Sequence, residues 1–392
     1  MSFNTLNIIL FLGAAQGLLL TVLIFQKHRR LFANRFLGSM MFLYSIILIQ
    51  MLLTDLGFDR NYPHLMLIPL GIPFLMGPLH YLYVKSVIHC STKIKRNDGL
   101  HFLPFVICEL TLIPDFLTSG EEIAAEMQKI YSEGLSLRFM IFNWVMLVQI
   151  LTYMIMTVLI IKRYTRSIKN VFSTIEKIKL DWLRNITYMG IVVIAIFLIE
   201  NLFLLAGINL SHFFNLTSVL FAIFIYIMGY MGLSKSEIFA EPAIARSISE
   251  LSRFNQESRM KIDRNHPKYE KSGLSPAKAK AHLENLLQLM NEKKPYTDSN
   301  LTLTQLADML SITPHNLSEI LNTQLKQSFF DFINQYRVEE VKKALIDPTK
   351  QHLKVLAIAF EAGFNSKTSF NTIFKKHTKM TPSEYRAQFI RV

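Results

Sequence analysis

Up to about residue 233 the chain is written as seven runs of Leu, Ile, Phe, Met and Val, with few charges inside them. A helix rises 1.5 Å per residue, so about 20 apolar residues cross a hydrocarbon layer about 30 Å thick. Inside that layer every backbone N–H and C=O must be satisfied within the protein, which makes helices the solution for runs of this length. The runs are 6–25, 36–53, 65–88, 100–117, 139–161, 186–205 and 214–232. The pattern predicts an all-α fold that opens with a seven-helix membrane bundle. The start, MSFNTLNIILFLGAA, lacks a basic n-region and reads as an uncleaved first span, not a signal peptide.

Lys and Arg in short loops set orientation. One set of loops carries fifteen, clustered around Lys27–Arg35, Lys85–Arg96 and Lys162–Arg184; the opposite loops carry three, Arg60, Lys129 and Arg138. The bias puts the amino terminus outside the membrane and, after seven crossings, the carboxyl-terminal part in the cytoplasm.

Within the spans a few residues stand out. The third run carries Pro63, Pro69, Pro73 and Pro78, and interior prolines remove a backbone bond and kink a helix. It reads as a kinked helix that lines a pocket, or as shape alone. His80, Glu109 and Glu200 fall at membrane depth, where ionisable groups are costly and raise a functional hypothesis. They are candidates for binding a small-molecule or membrane signal, with His80 and Glu109 able to pair; structural partners inside the bundle are the plainer reading. The outer loop 119–137, with Glu121, Glu122, Glu126 and Glu133, reads as a solvated acidic face, an interfacial helix or part of a vestibule.

Beyond residue 233 the composition turns polar and charged. The net charge of +13 suits a nucleic acid or an anionic bilayer surface. Residues 233–271 read as a linker broken by Pro242 and Pro267, with a helix over 244–260. Pro276 opens a helix to about residue 292 whose apolar face is Leu283, Leu286, Leu287 and Met290. That face could pack on the next helices of the chain or on a second copy in a homodimer.

Two helix-turn-helix patterns come next. In the first, Leu303, Leu306, Ala307 and Leu310 form one apolar stripe, Ser311-Ile312-Thr313 turns the chain, and Thr313 caps a helix begun by Pro314. Leu317, Ile320 and Leu321 face in; His315, Asn316, Ser318 and Glu319 face out. A helix from Phe329 to Leu345 joins the units. In the second, Leu353, Leu356, Ala357 and Phe360 form the stripe, Gly363 ends the helix and Phe364 fills the core under the turn. Asn365 or Ser366 caps the next helix, which turns Phe370 and Phe374 inward. Lys367, Thr368, Asn371, Thr372 and Lys375 face outward with groove-reading chemistry.

The stretch 301–386 resembles the AraC/XylS family of bacterial transcription regulators. The residues that carry the likeness are Ala359, Gly363, Phe364, Ser366, Phe370, Phe374, Lys375, Lys376, Thr381, Pro382, Ser383, Tyr385 and Arg386. The resemblance implies two recognition helices in adjacent major grooves of promoter DNA, roughly 34 Å apart. Their contacts would come from His315, Asn316, Ser318, Glu319, Ser366, Lys367, Thr368, Asn371, Thr372 and Lys375. Lys375, Lys376 and Arg386 would touch phosphates or solvate the surface. Acidic Glu319, with no exposed Lys or Arg beside it, departs from a simple base-reading helix. The segments GAAQGLLL, NRFLGSMMFL, MGPLHYLYVKS and HFLPF also resemble the sensor half of membrane-bound members of the family.

The expected organisation is a seven-pass sensor over 1–233, a linker over 234–274 and a DNA-binding domain over 275–392. The expected function is a membrane-embedded regulator that couples a signal at the spans to promoter binding and acts on RNA polymerase. The alternative is a receptor- or transporter-like bundle with an adaptor tail. No HExxH, P-loop or kinase pattern and no nucleophile–base set suggests an enzyme. Cys90 and Cys108 fit neither a disulfide framework nor a metal site, and no cofactor is implied.

Overall fold

The computed structural model describes residues 4–27, 32–89, 93–133, 137–205, 211–236 and 274–390. Among these the regular structure is helical, and the extended pairing is one antiparallel bridge between Phe172 and Thr302. The chain divides into two compact units, Met1–Lys162 with Leu180–Ala245, and Arg163–Lys179 with Arg246–Val392.

The first unit contains α1 (Thr5–Lys27), α2 (Ala33–Asp55), α3 (Pro73–His89), α4 (Leu103–Leu117), α5 (Gly120–Glu133), the first part of α6 (Leu137–Val171), α7 (Asp181–Leu205) and α8 (Ser211–Ser236). Among the described residues, five helices are long and apolar enough to cross a membrane: Thr5–Gln26, Ala33–Asp55, Arg96–Leu117, Met140–Val171 and Asp181–Phe203. The apolar part of α8, Thr217–Gly232, is shorter, and α3 has 17 residues.

The third run corrects the expectation of one helix over 65–88. Pro63–Met66 is a 3-10 turn, and regular helix starts only at Pro73. A proline fits the first turn of a helix, where its missing N–H costs nothing. Pro63 and Pro73 take such starting positions, Pro69 lies between the two elements, and Pro78 alone sits inside α3. The proline spacing therefore shortens the helix more than it kinks it.

Burial in this unit differs from that of a protein in water at its surface, which is apolar around an apolar core with a few polar residues. Leu110, Leu117, Val148 and Val192 are 58–82% exposed, whereas Asn7, Ser45, Thr157 and Thr187 are buried. Hydroxyls on the inside return to their own helix: Thr21, Ser45 and Thr157 each donate to the carbonyl four residues earlier at 2.8 Å. So large an apolar outer surface would be unfavourable in water and is the ordinary surface of a helix bundle in lipid. The acidic segment after α4 is the helix α5, with Glu121 and Glu122 exposed and Ile123 buried. Near it, Asp115 pairs with Arg138 at 2.6 Å.

The second unit contains α9 (Pro276–Glu292), α10 (Leu303–Met309), α11 (Pro314–Thr323), α12 (Phe329–Ile346), α13 (Val355–Glu361), α14 (Lys367–Thr378) and α15 (Pro382–Ile390). The helix expected over 244–260 lies outside the described residues. Ser275 caps α9, its hydroxyl accepting from the Lys278 N–H at 3.3 Å. The apolar face of α9 is covered within the chain: Leu286, Leu289 and Met290 share a core with Leu303, Leu306, Leu317, Leu321, Phe329 and Ile333. Burying each such side chain contributes about 1.5–3 kcal/mol, so α9 is an integral part of the first helix-turn-helix.

Candidate nucleic-acid interface

The first helix-turn-helix is built by its caps. Thr302 and Gln305 form a capping box at the start of α10. Ser311, at φ 56°, makes the sharp turn, and the Thr313 hydroxyl accepts from Asn316 N–H at 3.2 Å to start α11 on Pro314. Leu317, Ile320 and Leu321 are buried as the stripe requires. The opposite face is less open than expected: His315, Asn316, Ser318 and Glu319 are all half-buried. The exposed end of α11 is Asn322 and Thr323, followed by the capping residue Gln324. Asn322 Nδ2 donates to the Ser318 carbonyl at 2.8 Å, so these two residues form one polar patch. No cap or stripe marks Asn322 in the sequence, although its position four after Ser318 puts it on the same face.

In the second unit the stripe shifts. Ile358, Ala359 and Ala362 are buried, whereas Ala357 is exposed and Phe360 is 48% exposed. The expected stripe counted from Leu353, but Leu353 precedes the helix, which begins at Val355. Counting from the true start moves the buried face by two positions. The turn agrees with the expectation. Gly363 has φ 97°, a conformation that costs an L side chain about 1–2 kcal/mol. Phe364 is buried and its ring lies 5.2 Å from that of Phe370. Ser366, not Asn365, caps α14, its hydroxyl accepting from Ser369 N–H at 3.4 Å.

Helix α14 then divides cleanly. Phe370, Ile373 and Phe374 are buried; Lys367, Thr368, Asn371, Thr372 and Lys375 are exposed on the other side. Thr372 spends its hydroxyl proton on the Thr368 carbonyl at 2.8 Å. It therefore offers an acceptor oxygen and a methyl group. Asn371 keeps both amide donor and acceptor, the chemistry that reads adenine, and the methyl of Thr372 suits thymine.

Two arginines hold the frame. Arg337, 1% exposed on α12, donates through Nε to the Tyr296 carbonyl at 2.8 Å and through an Nη to the Asp298 carbonyl at 2.8 Å. Burial lowers its pKa to about 10, against the opposing pull of Glu176 and Asp298. Arg386 corrects the expectation of a phosphate contact or a solvated charge. It donates to the carbonyls of Leu353, at 2.9 Å, of Lys350 and of Gln351, and so ties α15 to the loop before α13. Lys376 is engaged with Asp331 at 2.9 Å. Thr381 and Glu384 cap α15 reciprocally, and the Tyr385 ring lies 5.5 Å from that of Phe374.

The signal candidates in the first unit do not converge. His80 is buried on α3 with Nε2 3.0 Å from the Thr187 hydroxyl of α7. Glu200 accepts from Thr217 at 2.6 Å, and its other oxygen has no hydrogen-bond partner among the described residues. Thr187 and Glu200 are thirteen residues apart on one helix, about 20 Å along its axis. Glu109 is half-buried against Gly71, not against His80.

A helix-turn-helix domain family matches residues 306–388. The uncharacterized HTH-type transcriptional regulator YijO of Escherichia coli (strain K12) is 33% identical over 91 residues, 23% of this chain and 31% of that protein. The arabinose operon regulatory protein of the same strain is 29% identical over 90 residues, 23% of this chain and 30% of that protein. The chain thus spans about a third of the length of these curated relatives. A solved protein of unknown function from Listeria innocua aligns at 26% identity over 27% of this chain and 94% of its own, with a TM-score of 0.24. The carboxyl-terminal part of this chain is a helix-turn-helix domain of the AraC/XylS type.

Proposed function

We propose that the chain is a membrane-embedded, DNA-binding transcription regulator. One observation carries the reading: α14 presents Lys367, Thr368, Asn371, Thr372 and Lys375 together on an exposed face, held by a buried Phe370–Phe374 spine. That is the arrangement a groove-reading helix needs. The patch around His315, Asn316, Ser318, Glu319 and Asn322 on α11 is the weaker second reader, and Ser366 serves α14 as its cap. The proposed organisation is a seven-pass sensor over 1–233, a linker over 234–274 and the DNA-binding domain over 275–392. Orientation with the amino terminus outside and this domain in the cytoplasm is supported by the loop charge bias. It is supported further because the basic segment Arg163–Lys179 belongs to the same compact unit as Arg246–Val392. A small-molecule or membrane signal would favour one arrangement of the bundle and shift promoter occupancy, and thereby polymerase recruitment, by population shift. His80, Glu109 and Glu200 would act in separate places, with Glu200 the strongest candidate because one of its oxygens has no hydrogen-bond partner among the described residues. Chromatin capture of the full chain in its own membrane, with duplex binding in nanodiscs, tests this. Sequence-selective enrichment is expected. A chain that binds no duplex at low salt, or whose carboxyl end is labelled from outside, would refute it.

A further inference from the structure

The segment between α6 and α7 is built into the DNA-reading unit. Phe172 bridges Thr302, the cap of α10, and Ser173 donates to the Leu301 carbonyl from its N–H at 3.3 Å and from its hydroxyl at 2.7 Å. Thr174 donates to the Ser299 carbonyl at 2.8 Å. From the other side, Asn334 Nδ2 donates to the Ser173 carbonyl at 3.0 Å. Arg337 donates to that carbonyl at 3.2 Å, to the Ser173 hydroxyl at 3.2 Å and to the Thr174 hydroxyl at 3.3 Å. Ile168, Phe172, Ser173 and Ile175 are buried, and Lys169 lies over the Phe330 ring.

A loop that merely rested on a surface would not have its polar groups satisfied so completely. Here one buried guanidinium holds the loop with the same fork that holds the Tyr296–Asp298 turn. If the loop left, Arg337 would keep Tyr296, Asp298 and Asn334 as acceptors and lose Ser173 and Thr174. The loop's partners lie at the start of α10 and on α12, the elements that set the relation between the two helix-turn-helices. None of its hydrogen-bond partners among the described residues lies on the exposed faces of α11 or α14, so its docking leaves both readers open.

We propose that Phe172–Ile175 is a docking strap that couples the spans to the reader: docked, it holds the two helix-turn-helices in their DNA-competent relation, and movement of α6 and α7 acts on promoter affinity by loading or releasing it. This rests on the functional reading above and assigns its regulation to one segment of the chain. The covalent routes fit. The chain passes between the two units at Lys162/Arg163, at Lys179/Leu180 and at Ala245/Arg246, so the reader is tethered at three points and two of them flank the strap. Coupling through a two-state contact of this kind changes an affinity by roughly 5- to 150-fold.

The test uses the full chain in nanodiscs, with Cys90→Ser and Cys108→Ala as background. The probe is the duplex most enriched by chromatin capture of the wild type. Thr174→Cys with Ser299→Cys, joined by a short bifunctional maleimide, locks the strap. Ser173→Pro with Thr174→Ala, which removes an N–H and two hydroxyls, releases it. Efficient joining, undiminished probe affinity of the joined chain and a fall of roughly tenfold for the released chain are expected. Failure of the thiols to join in a chain that binds the probe, loss of binding on joining, or unchanged affinity on release would each overturn the proposal while leaving the functional reading intact. A wild type that enriches no duplex would overturn that reading instead.

Discussion

Arg337 and Gly363 meet at one oxygen. The Tyr296 carbonyl accepts from Arg337 Nε at 2.8 Å, and the same carbonyl occupies the space that a Cβ on Gly363 would need. The turn of the second helix-turn-helix is thereby packed against the 3-10 turn Pro295–Thr297 that precedes the first. Gly363→Ala should cost the strain of φ 97° and also push Tyr296 away from Arg337. We expect a loss of about 2–4 kcal/mol from backbone strain and a disturbed buried hydrogen bond together. Hydrogen exchange over 355–378 in the full chain reads it; unchanged protection would show that the carbonyl is not a shared support.

Arg337→Met removes the donors and leaves the carbonyls of Tyr296 and Asp298 to find others. Each buried carbonyl left without a donor costs about 1–3 kcal/mol. Arg337→Lys should not rescue it, because one ammonium cannot reproduce a planar fork that reaches carbonyls on two segments, Tyr296–Asp298 and Ser173. Limited proteolysis of the full chain at the 293–302 turn measures both. Equal resistance of the Lys variant and the wild type would mean that charge, not fork geometry, holds the turn.

Much of the reading domain was legible because caps are local. Thr313 before Pro314 and Ser366 before Lys367 announce helix starts within three residues, and the structure has both caps. The four-residue spacing of Phe370 and Phe374 likewise names its buried face. What escaped is long-range. Arg337 bonds to carbonyls, which every residue possesses, so no partner type marks its role. The strap pairs Ser173 with Leu301, 128 positions on, through groups that carry no pattern. The misplaced stripe in α13 failed differently: Leu353 is apolar but sits in the loop, and a period counted from it is out of phase. In the bundle, four prolines suggested kinks, but the chain used two of them to begin helical segments.

Base reading and phosphate binding separate on α14. Asn371→Ala should weaken the preferred duplex by about 1–3 kcal/mol and relax selectivity at one base pair. Lys375→Ala should weaken all duplexes evenly and reduce the salt dependence by about one ion. Competition binding across a randomised duplex set, repeated at several salt concentrations, distinguishes them. Unchanged selectivity in the Asn371 variant would remove it from the reading face.

Arg386 invites the opposite expectation from an exposed cation beside DNA. Its guanidinium is committed to the Leu353, Lys350 and Gln351 carbonyls. Arg386→Gln should therefore loosen α15, raising hydrogen exchange over 348–354 and 382–389, while the salt slope of promoter binding stays as it was. A slope that falls by about one with exchange unaltered would return Arg386 to the phosphate-contacting set.

The Asp331–Lys376 pair makes the reading domain sensitive to acid in a defined sense. Burial tends to raise the Asp331 carboxyl, but hydrogen bonds from Lys376 and Ser328 outweigh it and hold the carboxyl below its ordinary value. A folded value below the unfolded one means that the pair's contribution is complete above the unfolded aspartate value of about 3.9. It is lost as the pH falls from there through the folded value. Lys376 is 63% exposed, so solvent screens the pair and the effect stays under about 1 kcal/mol. Asp331→Asn should remove that acid-sensitive portion and leave stability near neutral pH lower by a similar amount. Unfolding of the reading domain, followed by exchange between neutral pH and pH 3, should give two curves that converge toward the acid end. If they run parallel instead, the carboxylate is not held by Lys376 in the folded chain, and Lys376 becomes free to serve as a phosphate contact.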